Sequence, residues 1–114
     1  MLSSAKSKYI RISPYKLRPY IKVIRGYPVD KALAWLKTLS LKRVVPIKKT
    51  LLSAYANAKS KHPEETISMD AVVITEIRVD QGPIITYFKA GAMGRANVQR
   101  KRLSHLEIQL AKKK

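Results

Sequence analysis

Arg100-Lys101-Arg102 sets three cations side by side, and Arg95 and Lys89 stand shortly before them. Groups of this kind neutralise phosphate, and arginine does so in bidentate fashion through its planar fork of donors. No Asp or Glu occurs from residue 82 to residue 106. A merely solvated charged face would mix signs. In an extended strand Lys101 points away from Arg100 and Arg102, so the segment offers cations on both faces, as a ribbon threaded between phosphates requires. Tyr87 and Phe88 lie in the same acid-free run. They suit stacking on unpaired bases and equally suit packing across a hairpin; the residues alone leave both open.

A second basic-aromatic cluster comprises Tyr9, Arg11, Tyr15, Lys16 and Arg18. It surrounds the start of an expected helix, where positive charge gains nothing from the helix dipole. An anionic partner is the better reason for it.

Catalytic chemistry finds little support. The chain has no Cys and two histidines, which excludes a thiol nucleophile, a disulfide scaffold and Cys-ligated zinc. His62 suits a helix end, and His105 lies on the polar side of an expected strand, better placed for a structural or RNA contact than as a metal ligand. Glu64-Glu65 sits beside Lys59 and Lys61 and reads as neighbouring charge. Gly91-Ala92-Met93-Gly94-Arg95 is too loose for a phosphate-cradling loop and reads as a hairpin tip. No cofactor, metal or small-molecule substrate is expected.

The elements that must position these groups follow from pattern. The 114 residues allow one domain, with 46% apolar residues to build a small core and a formal net charge of +17 from 24 Lys and Arg against 7 Asp and Glu. That excess repels itself unless an anionic partner relieves it: nucleic acid, an acidic protein or an anionic membrane surface. No apolar run is long enough to span a membrane, and the start lacks the apolar stretch of a signal peptide, so the cytosol is expected. Residues 6–12 alternate as a short strand. Ser13-Pro14 then starts a helix expected to run to Arg25 and stop at Gly26, with Pro19 inside it.

Pro28 opens a second helix, with Val29, Ala32, Leu33 and Leu36 as its buried stripe. A third covers roughly 42–61 on the stripe Val44, Ile47, Leu51, Ala54, Tyr55 and Ala58, flanked by Lys42, Arg43, Lys48 and Lys49. After Pro63 the period changes to two. Ala71, Val73, Thr75, Ile77 and Val79 are assigned to one face of a strand, and Leu106, Ile108 and Leu110 share a face of another, antiparallel to it. Helices first and strands later indicate an α+β fold. Residues 1–80 and 103–114 form the expected globular part, and residues 81–102 an extended hairpin. A free two-stranded ribbon is marginal in water and calls for an external surface.

At this point the chain resembles a known family. Tyr-Ile-Arg-Ile-Ser-Pro-Tyr-Lys-Leu-Arg (9–18) with Ile-Arg-Gly (24–26), Leu-Leu-Ser-Ala-Tyr-Ala-Asn-Ala (51–58), Val-Asp-Gln-Gly-Pro (79–83), Gly-Arg-Ala (94–96) and Lys-Arg-Leu-Ser-His-Leu (101–106) resemble, in order, the bacterial-type large-subunit ribosomal protein twenty-two family. The resemblance implies three helices on a three-stranded antiparallel sheet with a projecting β-hairpin. It implies binding to large-subunit rRNA, help in subunit assembly, neighbouring ribosomal proteins as partners, and a hairpin tip lining the nascent-peptide exit tunnel. The expected rRNA contacts are Lys8, Arg11, Lys16, Arg18, Lys89, Arg95, Arg100, Lys101 and Arg102. The expected tip is Tyr87, Phe88, Lys89, Ala90, Gly91 and Met93. The chain departs from the family pattern where basic residues are common, at Ile85, Thr86, Tyr87 and Met93, and where a Pro-Arg pair is common, at Ala90-Gly91. The rival reading is a basic architectural DNA-binding protein with its ribbon in a groove.

Overall fold

The computed structural model describes residues 2–64, 66–91, 94 and 96–112, and at residues 89, 96 and 97 the backbone alone. Strand β1 (Ser3–Ile10) is followed by helices α1 (Pro14–Ile24), α2 (Val29–Lys37) and α3 (Val45–Lys61), then by strands β2 (Val72–Ala90) and β3 (Ala96–Lys112). A 3-10 turn over Lys42–Val44 leads into α3, and another over Met69–Ala71 leads into β2. The three strands form one antiparallel sheet in the order β1-β3-β2. The fold is α+β, with the helices packed on one face of the sheet.

Each helix forms for a local reason and docks by its stripe. Pro14 occupies the first turn of α1 after Ser13, and Leu17, Ile21 and Ile24 are buried at helical spacing. Gly26 takes a left-handed φ of +84°. Its N–H donates to the Ile74 carbonyl (3.0 Å) and the Ile74 N–H to the Tyr27 carbonyl (3.0 Å), so the turn between α1 and α2 is clipped to β2. The α3 stripe is buried as its spacing predicts, with Thr50 added, whose hydroxyl donates to the Pro46 carbonyl. Pro46 falls in the first turn of α3, where a missing N–H matters little.

The strands depart from simple alternation. In β2 the buried residues are Val72, Ile74, Ile77 and Val79, while Ala71 and Thr75 are exposed. The expected face running through Ala71, Val73 and Thr75 is therefore wrong for its first half. Ile74 pairs with Leu110 and Glu76 with Gln109, so Thr75 is an extra residue that shifts the phase by one. In β1, Ser7 pairs with Leu106 but Ile10 with Ser104, and the extra residue there returns Ile10 to the core side with Ala5. On β3, Leu106, Ile108 and Leu110 are fully buried, as their alternation predicts.

A third irregularity marks the root of the hairpin. Gln81 pairs with Ser104 and Ile84 with Arg102, which bulges Gly82-Pro83 out of β2. β1 has already ended at Ile10, so beyond Ser104 only two strands continue, paired as far as Ala90 and Ala96. The projection shows in the overall dimensions, 65 × 26 × 17 Å with a radius of gyration of 17.3 Å, against about 13 Å for a compact chain of this length. A Cβ on Gly82 would lie 3.1 Å from the Leu103 carbonyl oxygen and 3.3 Å from the His105 ring. Gly82→Ala is therefore expected to cost about 1–3 kcal/mol by overpacking backbone that cannot rotate away, read as a thermal midpoint about 5 °C or more lower. An unchanged midpoint would show that the neck yields freely.

Candidate nucleic-acid interface

Three separate segments converge beside the root of the hairpin. The loop from β1 to α1 brings Arg11 and, one turn into the helix, Lys16. The turn before α3 brings Lys42 and Arg43. The edge of β3 left free by β1 brings Arg100, Lys101 and Arg102. Together they line an open basin of about 480 Å³. Ser104 holds the arrangement in place, its hydroxyl donating to the Ile12 carbonyl and pinning the β1–α1 loop to β3. Among the described residues seven cations and no carboxylate line the basin. The first turns of α1 and α3 contain no acidic residue, so both helix N-termini add partial positive charge to the same side. Such a surface attracts polyanions and repels cations.

Three carboxylates are held on another face. Glu76, Asp80 and Glu107 surround Arg78 on the sheet face opposite the helices, at 3.6, 3.8 and 2.6 Å. The Gln109 side-chain amide and the Arg78 guanidinium, both donating to Glu107, hold its carboxyl below the usual carboxylate range, and Glu107 in turn raises the Arg78 guanidinium. This face is close to charge-balanced, whereas nine of the 24 Lys and Arg of the chain belong to the basin and the hairpin segment.

The sequence-predicted residues divide among three places. Arg11, Lys16, Arg100, Lys101 and Arg102 come together in the basin. Arg18 does not join them. It lies two residues beyond Lys16, about 200° around the helix, with its guanidinium near the Val79 carbonyl (3.4 Å) and over the Tyr15 ring. Arg25 reaches the Ile77 carbonyl at 2.8 Å. These two arginines occupy carbonyls along the outer edge of β2 and blunt a strand edge that would otherwise invite pairing. Lys8 borders a different hollow, on the charge-balanced face, with Lys6 and His105. Arg95, Met93 and the Lys89 side chain lie outside the described residues. Glu65 does too, whereas Glu64 is exposed in a turn and His62 caps α3.

Lys42 and Arg43 were legible only as the flank of a helix, and their place in the basin was missed. The signal was available, since they too are cations at a helix start with no acid to answer the dipole. On the hairpin, pairing of Ile84 with Arg102, Thr86 with Arg100 and Phe88 with Val98 puts these six on one face, with Ile85, Lys101, Tyr87 and Gln99 on the other. Phe88 is 72% exposed and Val98 53%, so cross-strand packing covers little of either ring or branch.

Among the described residues no group of three or more His, Cys, Asp or Glu is placed to hold a metal ion. No helix among them is long and apolar enough to cross a membrane.

Comparison with known proteins places the chain among relatives of one family. The profile of the Ribosomal protein L22p/L17e family matches residues 5–111. The chain is 41% identical over 112 residues to the large ribosomal subunit protein uL22 of Desulfitobacterium hafniense (strain Y51), covering 98% of this chain and 96% of that one. It is 41% identical over 108 residues to uL22 of Roseiflexus castenholzii (strain DSM 13941 / HLO8), covering 95% and 93%. To uL22 of Chloroflexus aggregans (strain MD-66 / DSM 9485) it is 39% identical over 113 residues, covering 99% and 97%.

Proposed function

The chain belongs to the ribosomal protein L22p/L17e family and is a structural protein of the large ribosomal subunit, and from that premise we propose that its basin and hairpin bind large-subunit rRNA. The observation that carries the reading is the convergence, among the described residues, of seven cations without a carboxylate from three segments far apart in sequence. Arg11, Lys16, Lys42, Arg43, Arg100, Lys101 and Arg102 take phosphates beside the root of the hairpin. Arg95 and Lys89 extend the contacts toward the tip. Lys8 and Arg18 contribute from their own sites.

The mechanism is scaffolding. A body folded around its own core holds a ribbon with too little apolar burial to order itself, and rRNA packed on both ribbon faces fixes it. Joining segments of RNA in this way aids assembly of the subunit. The tip, Tyr87 to Gly91 with Met93, lines the nascent-peptide tunnel, its exposed rings facing the lumen or the tunnel wall. The partners are rRNA, neighbouring ribosomal proteins and the passing peptide, in the cytoplasmic ribosome. No membrane, no small-molecule substrate and no catalysis of its own enter this function. Membership of the family disfavours the DNA-ribbon alternative.

Binding through phosphates releases counterions, so the affinity for large-subunit rRNA falls linearly in log–log form with salt, with a slope of roughly −0.7 to −0.9 per contact. Seven basin contacts then give a slope of about −5 to −6. Salt-dependent co-sedimentation with large subunits measures it. A nearly flat salt dependence, or equal affinity for duplex DNA from a stable dimer, would overturn the reading.

A further inference from the structure

Tyr9 has a backbone φ of +59°, in the left-handed region, where a bulky aromatic residue is a genuine outlier. It lies within the β1 bulge between Ser7 and Ile10, a place where glycine is the residue of least strain. The ring gains no burial in return, since Tyr9 is 61% exposed. The surroundings over-determine the strained conformation. The Tyr9 N–H donates to His105 Nδ1 at 3.1 Å, and the two rings meet edge to face, with centroids 5.0 Å apart and planes at 88°. Accepting at Nδ1 fixes the imidazole tautomer with its proton on Nε2. A strained residue held this firmly, with its side chain presented to solvent, points to a function for the side chain.

The chemistry of the neighbourhood narrows the ligand. The adjoining hollow of about 160 Å³ is lined by Lys6, Lys8, Arg78, Asp80, His105 and Glu107. Three cations face two carboxylates there, unlike the acid-free basin, so a cluster of phosphates is a poor occupant. A neutral aromatic ring with polar edges fits instead. Resting on the rRNA-binding reading above, we propose that Tyr9, backed by His105, is a stacking platform for one unpaired nucleobase of the bound RNA, with Lys8 beside it for the adjoining phosphate and Asp80 to accept an N–H from the base edge. A base inside a duplex has both faces covered, so the platform selects a base turned out of its helix.

The test uses the full-length protein and a large-subunit rRNA transcript carrying 4-thiouridine, with affinity, salt slope, thermal midpoint and photo-crosslink position as readouts. Tyr9→Gly relieves the backbone strain and removes the ring, and Tyr9→Asn, which tolerates the left-handed region, serves if the glycine variant unfolds. The expected result is a loss of about tenfold or more in affinity with the salt slope unchanged, wild-type affinity in Tyr9→Phe, and a crosslink mapping to Tyr9. Wild-type affinity in both ring-less variants, with no crosslink at Tyr9, overturns the platform and leaves the basin reading intact. Failure of the wild-type protein to bind the transcript in a salt-dependent way overturns the basin reading itself.

Discussion

Replacing Arg100, Lys101 and Arg102 together by alanine is expected to weaken binding to large-subunit rRNA by about 10²–10³-fold at 0.1 M salt while leaving the free protein as stable as before or more so. The two effects have opposite signs for one reason. In the free protein these cations border a basin with Arg11, Lys16, Lys42 and Arg43 and, among the described residues, no carboxylate, so they repel one another and contribute nothing favourable to folding. In the complex each releases condensed counterions. Three fewer contacts reduce the magnitude of the log–log salt slope by about 2 to 3, and extrapolated from 1 M to 0.1 M salt that difference is the expected loss. Filter binding across a salt series, together with thermal unfolding of the free variant, measures both. A drop in thermal midpoint with an unchanged slope would mean that the three cations serve the fold and that the basin faces solvent. Alanine at Lys22 and Lys31, exposed cations that line no part of the basin, provides the comparison for non-specific charge loss.

What the sequence disclosed of this interface depended on how local the information was. The cations of 100–102 are adjacent, so their density is visible at once. Their union with Arg11 and Lys42 requires β1 to leave the sheet at Ile10 and the turn before α3 to close over the gap. No local pattern encodes either. Lys16 and Arg18 look equivalent as neighbours in a basic cluster, yet the helical period alone puts them on different sides, and the edge of β2 captures the second.

The strand phases tell the same story. Val72, Val73 and Ile74 are all apolar, so the local alternation fits either face. Pairing with Leu110 and Gln109 across the bulge at Thr75 settles it. The helix stripes needed no such help, because a stripe such as Ile47, Leu51, Ala54 and Ala58 has one possible inner side.

Leu106→Ala is expected to cost about 2–5 kcal/mol of stability, a large part of the roughly 5–15 kcal/mol that holds a small domain. Phe88→Ala is expected to change the free protein by no more than about 0.5 kcal/mol. Both residues belong to the same pair of strands, and the contrast follows from what each strand packs against. Leu106 is fully buried in the central strand, opposite Ser7 of β1 and Val79 of β2, beneath the helices. Phe88 is 72% exposed, opposite Val98 on a ribbon with no third strand. Denaturant unfolding measures the two variants, and hydrogen exchange on the free wild-type protein locates the boundary between the two regimes. Amides of 84–90 and 98–102 should exchange fast and those of 103–110 slowly, since only the latter open with the core. Equal protection along the whole of β3, or a destabilisation by Phe88→Ala approaching that of Leu106→Ala, would show that the ribbon orders itself. If the contrast holds, the hairpin sequence is released from the demands of folding, and its apolar residues answer only to the surface that receives them.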